Sequence, residues 1–326
     1  MSTAFMNTVK AHRPDINITV ASGPTARAML AGCAGVDQFI ATDETVRRGR
    51  RMKLLSAEIE RRKDKFCLVV EMRVKINPKV LSFLARTRAE HCLGYDKYGY
   101  KIFDLNVPHN PTLHTLERWF VAAQITIGQD LQKPNPLQSL LSLPVDKAVE
   151  SEIESWLEHG FDACPRVLLN FYANARDRSF RYAEAIKLLR LWRSRFPDHL
   201  LLLLPVPGHG DDVEKIASEI NDPKVIIAPQ PLLLSTSIAL GRRVDLIFTP
   251  DTGMAHIASA LNVPVVVVYR HDSENFERWK PLSDRQGAIF TRPPVSPHDY
   301  VYPHEFDDAE LLGHVERLLP IPEGSA

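Results

Sequence analysis

Four cysteines in 326 residues, none close to another in sequence, are too few and too scattered for a disulfide framework or a zinc site. Cys67 and Cys164 lie at or beside apolar stretches and, like Cys33 and Cys92, suit a reducing cytoplasm; the first two are expected to be small buried thiols. Long apolar runs are missing as well. The richest, His199 to Pro207 with its five leucines, falls far short of the roughly 20 residues a membrane span needs. Met1 to Met6 shows no basic region followed by an apolar core, so no signal peptide is read there. Net charge is absent too. Lysine plus arginine equals aspartate plus glutamate at 40 each, which removes any overall field steering the chain towards nucleic acid. No internal repeat and no low-complexity tract appears.

What is present is an alternation of strand and helix patterns, twice over, in a chain long enough for two domains. In the first half the pattern predicts helices over Ala4–His12, Thr25–Ala31, Asn77–Ala85 and Leu113–Ile127. Strands are predicted over Ile16–Ala21, Phe39–Ile40, Phe66–Glu71 and Cys92–Gly94. Leu131 to Asp146, with Pro134, Pro136 and Pro144, reads as a linker, so the domains are drawn at residues 1–135 and 136–305. The second half predicts helices over Val149–Glu158, Tyr182–Phe196, Asp212–Ile220 and Leu233–Leu240. Its strands are Arg166–Tyr172, Leu200–Val206, Val225–Ala228, Val244–Phe248 and Val263–Tyr269. Residues 291–306, rich in proline and aromatics, read as an irregular crossing segment, and a final helix follows over Asp307–Leu319. A basic stretch, Arg47, Arg48, Arg50, Arg51 and Lys53 with Arg61, Arg62 and Lys63 further on, is either a solvated helix face or a contact for phosphorylated lipid. Glu58 and Glu60 interrupt it, which favours the solvated face.

The densest chemistry lies in VDLIFTPDTGMAHIASALNVPVVVVYRHDSENFERWKP, residues 244–281. A buried strand stops at Pro250, and a helix starts at Asp251 or Thr252, either of which can cap its free amides. Gly253 lets a ligand approach the backbone. A diphosphate placed there meets unpaired N–H groups and the positive end of the helix dipole. His256, one turn in, can donate a hydrogen bond or a proton to the same place. A capped helix beside a half-buried histidine explains the same residues without any ligand. Two more loops follow strands. Tyr172 to Phe180 carries Arg176, Asp177, Arg178 and Ser179, and Pro207 to Asp212 offers Asp212 to a ribose hydroxyl or to a helix cap. Trp279 either stacks on a sugar or base or closes an interface.

Asp-Thr-Gly-x-x-His, the alanine-rich helix, the second buried strand and the loop ending in Trp279 and Pro281 resemble the C-terminal domain of family 9 glycosyltransferases, the heptosyltransferases of lipopolysaccharide core synthesis and their relatives. The resemblance implies an α/β GT-B architecture of two Rossmann-like domains facing a cleft, with the acceptor on the N-terminal domain and a nucleotide-diphosphate sugar held mainly by the C-terminal one. Residues 306–326 would then form a C-terminal helix packing back on the N-terminal domain. Arg178 and Ser179 match the family's basic donor-phosphate loop in its Arg-Ser form. With Asp212, Asp251, Thr252, Gly253, Met254 and His256 they make up the implied donor site, His256 being also the one catalytic candidate. No Asp-x-Asp triplet is present, so metal-independent, inverting transfer is expected. The cluster His298, Asp299, His304 and Glu305 matches no common metal site.

One family feature is missing. The usual apolar first strand with its glycine-aspartate loop, which the resemblance assigns as general base, has no counterpart, and Asp15 sits at the wrong end of the first helix to replace it. A true start upstream of Met1 is the expectation. The leading reading is a cytoplasmic glycosyltransferase, in peripheral contact with the inner membrane, moving heptose from ADP-heptose to a lipopolysaccharide core or another lipid-linked or glycan acceptor. The alternatives are a non-catalytic nucleotide-sugar-binding module, a truncated enzyme without its base, or another GT-B enzyme such as an epimerase.

Overall fold

The computed structural model describes residues 1–319 apart from 24, 25, 28, 29, 32, 42–47, 145, 158–163, 174 and 297. The chain divides into two compact units, Met1–Pro144 and Val145–Ala326.

In the first unit the strands are β1 (Thr19–Ser22), β2 (Gln38–Ala41), β3 (Leu68–Glu71), β4 (His91–Tyr95) and β5 (Leu105–Val107). All pair in parallel, as two separate ladders, β1-β2 and β3-β4-β5. The helices are α1 (Thr3–His12), α2 (Arg48–Arg62), α3 (Pro78–Thr87) and α4 (Thr115–Ile127). Alternation of buried positions explains the packing. Phe5, Met6 and Val9 of α1 and Ala122 and Ala123 of α4 close over Leu93 and Tyr95, while α2 and α3 bury Leu55, Ile59, Val80 and Leu84 around Cys92. Asn77 caps α3 by accepting from the Val80 amide, with Pro78 at the first helical position. His114 and Glu117 form a reciprocal capping box on α4. Residues 25, 28 and 29 of the predicted helix over Thr25–Ala31, and Arg47, fall outside the described residues.

In the basic stretch, Arg61 pairs with Glu58 at 2.7 Å and Arg62 with Asp64 at 2.8 Å, as a solvated face requires. Cys33 and Cys92 are buried, whereas Cys67 is exposed and Cys164 half-buried; Cys67 precedes β3 instead of entering it.

The second unit is one six-stranded parallel sheet: β6 (Arg166–Leu169), β7 (Leu200–Leu203), β8 (Val225–Ile227), β9 (Leu246–Pro250), β10 (Val265–Tyr269) and β11 (Gln286–Phe290), in the order β11-β10-β9-β6-β7-β8. Among the described residues seven helices flank them: α5 (Lys147–Leu157), α6 (Tyr182–Arg195), α7 (Gly210–Ile220), α8 (Leu234–Gly241), α9 (Gly253–Leu261), α10 (Ser273–Trp279) and α11 (Asp308–Leu318). Continuous apolar runs such as Leu200–Leu203 and Val265–Tyr269 are buried on both faces, which is how a parallel strand covered by helices reads. From β6 the chain winds outward through β7 and β8, then crosses back to β9 and winds the other way. The neighbours β6 and β9 therefore flank a topological switch point, the place where open α/β sheets take ligands.

The sequence-drawn boundary at 135/136 lies nine residues before the structural one. The segment after it folds onto the first unit: a short 3₁₀ turn spans Leu137–Leu140, and the Asn7 carboxamide on α1 donates to the Ser142 hydroxyl at 3.3 Å. The last helix also differs from expectation. Leu311, Val315 and Leu318 of α11 are buried in the second unit's own core, and Gly287 of β11 admits it, since a Cβ there would meet the His314 ring at 2.7 Å. The helix is thus part of the second unit's core. Two short strands, β5 and β11, have no counterpart in the sequence pattern, and the helix α10 stands where the sequence reads as a loop.

Candidate functional site

The site is built at the switch point. Register pairs Val167, Leu168 and Leu169 of β6 with Leu246, Ile247 and Phe248 of β9, so the next residues, Asn170 and Thr249, face each other just beyond the ladder. Asn170 is 2% exposed. Its Nδ2 donates to Thr249 Oγ1 at 3.0 Å and to Thr252 Oγ1 at 3.2 Å, and its Oδ1 accepts from the Tyr172 amide at 3.1 Å. One buried carboxamide thereby joins the loop after β6 to the turn between β9 and α9. Sequence reasoning passed over it, although a lone amide inside the apolar run Arg166 to Tyr172 was a signal that a buried polar group had partners to meet.

Thr252, not Asp251, caps α9, accepting from the Met254 amide at 3.3 Å. Hydroxyl bookkeeping then fixes its role. Thr249 donates its only hydroxyl proton to the Pro250 carbonyl at 2.8 Å, so the 2.8 Å contact between the two threonine hydroxyls uses the Thr252 proton. Thr252 has no proton to offer a phosphate, and it acts by holding the turn. Gly253 has no heavy atom within 4 Å of where a Cβ would project, and its φ is not in the left-handed region; its value is open space beside the first-turn amides. The Met254 side chain is 6% exposed and points into the core, so its side chain is not at the site.

Asp251 turns sideways. Its Oδ2 accepts from Asn275 Nδ2 of α10 at 3.0 Å, and its carbonyl accepts from Arg178 Nη1 at 3.1 Å. Arg178 ends the 3₁₀ turn Arg176–Arg178 and so reaches across the switch point to the turn that opens α9. Ser179 does not. The residue is 7% exposed and its hydroxyl bonds Ala173 and Ala175 within its own loop, which makes it a loop clasp. The His256 ring is half-buried with its centroid 5.5 Å from that of Trp279, which gives the tryptophan a role as wall to the histidine. Asp212 is in the first turn of α7 but is not its cap. Its carboxylate lies 3.0 Å from His209 Nδ1, and the His209 ring stacks flat on Tyr172 at 4.2 Å. Burial, with Asp212 nearby, pushes the Tyr172 phenol up to about 12, so it stays protonated.

The chain therefore brings Arg178, Asp251, Thr252 and Gly253 together, with His256 one turn deeper, and leaves Ser179 and Met254 in structural roles. A cavity of about 730 Å³ opens beside Arg178 and Asp251 at the carboxyl ends of β9, β10 and β11. In the cluster considered for metal, Asp299 and Glu305 both pair with Arg292, at 2.5 and 2.8 Å. Asp15 is exposed and paired with Arg13, whose guanidinium holds its carboxyl below the usual range, so it is a poor proton acceptor.

A parallel α/β sheet with a capped helix N-terminus at its switch point is the arrangement in which open α/β sheets of Rossmann type take phosphate ligands. Comparison with known proteins narrows this. Residues 200–300 match the model of glycosyltransferase family 9 (heptosyltransferase). A candidate glycosyltransferase of Haemophilus influenzae is 30% identical over 116 residues, which span 35% of this chain and 32% of that relative, about a third of its length. Over 97% of the chain the fold is that of a family 9 glycosyltransferase from Veillonella parvula (TM-score 0.79, 14% identity, 92% of that chain). It is also that of Escherichia coli ADP-heptose lipopolysaccharide heptosyltransferase II (TM-score 0.71, 17% identity, 93% of that chain). The GT-B fold class and the resemblance to family 9 stand on these findings.

Proposed function

We propose that the chain is a glycosyltransferase that binds a nucleotide-diphosphate sugar through its second unit and transfers the sugar with inversion to a cell-surface glycan acceptor. The observation that carries this reading is the pairing of an open, capped helix N-terminus at Gly253 with the Arg178 guanidinium hooked onto the same turn. Amides and dipole meet one phosphate, and the guanidinium meets the charge that grows on the leaving nucleoside diphosphate. That neutralisation needs no bound metal. His256, one turn along, is the proton donor within reach of a departing phosphate oxygen.

The donor we favour is ADP-heptose and the acceptor a lipopolysaccharide core, because the E. coli enzyme sharing this fold is named for that donor. Such an acceptor places the protein on the cytoplasmic face of the inner membrane, with the exposed Arg50 and Lys53 of α2 available to anionic headgroups. No helix among the described residues is long and apolar enough to cross the membrane.

Calorimetric titration with ADP, UDP and GDP tests the reading. One diphosphate should bind, and Gly253→Val, which fills the open space without a backbone penalty, should abolish that binding while the protein stays folded. A folded wild type that binds none of the three would mean that α9 is only a capped helix.

A further inference from the structure

Among the described residues the first unit exposes four large apolar side chains, Leu54, Val74, Tyr98 and Tyr100, and all four lie towards one edge. Val74 follows β3, while Tyr98 and Tyr100 follow β4. The two strands are parallel, so both loops leave the sheet at its carboxyl end. Leu54 is on α2, whose Glu60 pairs with Arg86 of α3 at 2.6 Å, near the last turn of each helix. The two helices therefore run the same way and start at that edge. Exposed apolar side chains scattered singly are ordinary, but a gathering of them at one edge marks a surface for a partner.

The loops are held out by the fold. Lys97 is 2% exposed, and its ammonium donates to the Val74 carbonyl at 2.7 Å and to the Tyr95 carbonyl at 2.8 Å, which clasps the loop after β3 to the end of β4. A buried ammonium is costly unless its protons are bonded, and here they tie the two segments together. The Tyr100 amide closes a turn onto the Lys97 carbonyl at 2.9 Å, and the Tyr100 ring rests edge-on against Phe103. Tyr98, at the tip of that turn, is 66% exposed.

Cations surround these side chains. Lys75, Lys79 and Lys101 are exposed, and none has a carboxylate partner among the described residues. The local carboxylates are engaged elsewhere: Glu71 pairs with Arg73, Asp104 with His91, and Asp96 faces His109 at 3.6 Å. Lys79 stands in the first turn of α3, which holds no acidic residue, so its charge adds to the positive end of the helix where a carboxylate would be favoured. Arg50, one turn before Leu54, and Lys53 beside it are exposed as well. Charge and apolarity together select the occupant. At an anionic bilayer tyrosine rings settle at the headgroup level, aliphatic tips reach beneath it, and ammonium groups meet lipid phosphates. A nucleic acid would engage the lysines and tyrosines but leave Leu54 and Val74 without a counterpart.

We propose that this edge of the first unit docks on an anionic lipid bilayer, with Val74, Tyr98 and Tyr100 entering the interface and Lys75, Lys79 and Lys101 meeting headgroup phosphates. The proposal rests on the membrane-side reading above and gives it a docking surface.

The test is flotation of the whole chain with vesicles of phosphatidylcholine alone and of phosphatidylcholine and phosphatidylglycerol in equal parts. Wild type should float with the mixed vesicles and stay behind with the neutral ones. Lys75→Gln, Lys79→Gln and Lys101→Gln combined should weaken the partition about 100-fold, at about 1 kcal/mol per cation. Tyr98→Ser with Tyr100→Ser, which leaves the charge unchanged, should weaken it at least fivefold. A wild type that ignores the mixed vesicles, or floats equally with both kinds, overturns the proposal, as does either variant partitioning like wild type. Binding of poly-uridylate as tight as that of the mixed vesicles, with the same loss in the tyrosine variant, overturns it in favour of a nucleic acid. Melting curves and titrations with ADP, UDP and GDP accompany each variant and should match those of wild type. A protein that floats but binds no diphosphate sinks the donor reading alone, and one that binds a diphosphate but does not float sinks this proposal alone.

Discussion

Replacing Asn170 by alanine removes one carboxamide and unties two loops. The change strands the Tyr172 amide, which is buried, and takes a donor from each of the Thr249 and Thr252 hydroxyls. At about 1 kcal/mol net per hydrogen bond, three bonds come to about 3 kcal/mol of stability. In a unit of this size each kcal/mol shifts Tm by roughly 2–4 °C, so a fall of about 6–12 °C is expected. The functional consequence is separate. With Thr252 held only by Thr249 and the Met254 amide, the cap loosens, and a cap is worth about 1 kcal/mol. If the phosphate depends on that turn, the affinity for ADP should fall about fivefold while that for adenosine is unchanged. Thermal melts establish that the variant is folded, and calorimetry with the two ligands gives the rest. A lower Tm with an unaltered ADP affinity, or equal losses for ADP and adenosine, would refute the role of Asn170 in positioning the phosphate-binding turn.

Arg178→Gln keeps much of the side chain's reach but removes its charge, and the loss of charge-assisted bonds worth about 1.5–3 kcal/mol should weaken ADP about 10- to 100-fold. Ser179→Ala should do the opposite in kind, lowering Tm through the loop it clasps and leaving the ADP affinity within twofold. His199 supplies a pH dependence. It accepts from the Trp192 indole at 3.2 Å, and burial, assisted by Arg193, lowers its pKa from 6.5 to about 4. Because the folded pKa is the lower one, the unfolded chain takes up a proton between pH 6.5 and 4 that the folded chain refuses. The stability is complete above pH 6.5 and is lost as the pH falls towards 4, by about 2–3 kcal/mol at pH 4.5. His199→Gln should melt lower than wild type at pH 7 and show a flatter fall in Tm towards pH 4.5; parallel curves would show that His199 does not titrate this way.

Much of the second unit could be read from its residues because its strands announce themselves. Leucine or valine runs of four or five, bounded by turn residues and separated by helical periods, leave a parallel sheet as the only arrangement that buries both faces. The short elements escaped for the same physical reason. Leu105–Val107 and Gln286–Phe290 have a few apolar residues each and owe their strand state to a neighbour's edge, not to their own pattern. The helix Ser273–Trp279 has three charged residues in seven and is fixed by the Asp272 cap on Asn275. The domain boundary moved because three prolines mark an irregular chain without saying which body it lies on. That is settled by bonds from Asn7, far away in sequence.

At the site itself, residue type located the place and geometry assigned the parts. Asp-Thr-Gly-x-x-His marks a capped helix at a strand end, and local hydrogen-bonding preferences alone suffice for that much. Whether a serine or threonine contacts a ligand depends on where its single proton goes, and that is decided by groups distant in sequence. Thr252 gives its proton to Thr249 under the hold of Asn170, 82 residues away, and Ser179 turns inward to Ala173 and Ala175. Arg178 has donors to spare after meeting the Asp251 carbonyl, since a guanidinium carries five N–H groups. Of the predicted phosphate contacts, then, the multi-donor side chain and the backbone amides keep capacity for a ligand, and the hydroxyls do not. The phosphate-binding strength of this turn should accordingly survive substitutions that keep the cap, such as Thr252→Ser, and fail when Arg178 loses its charge or Gly253 gains a side chain.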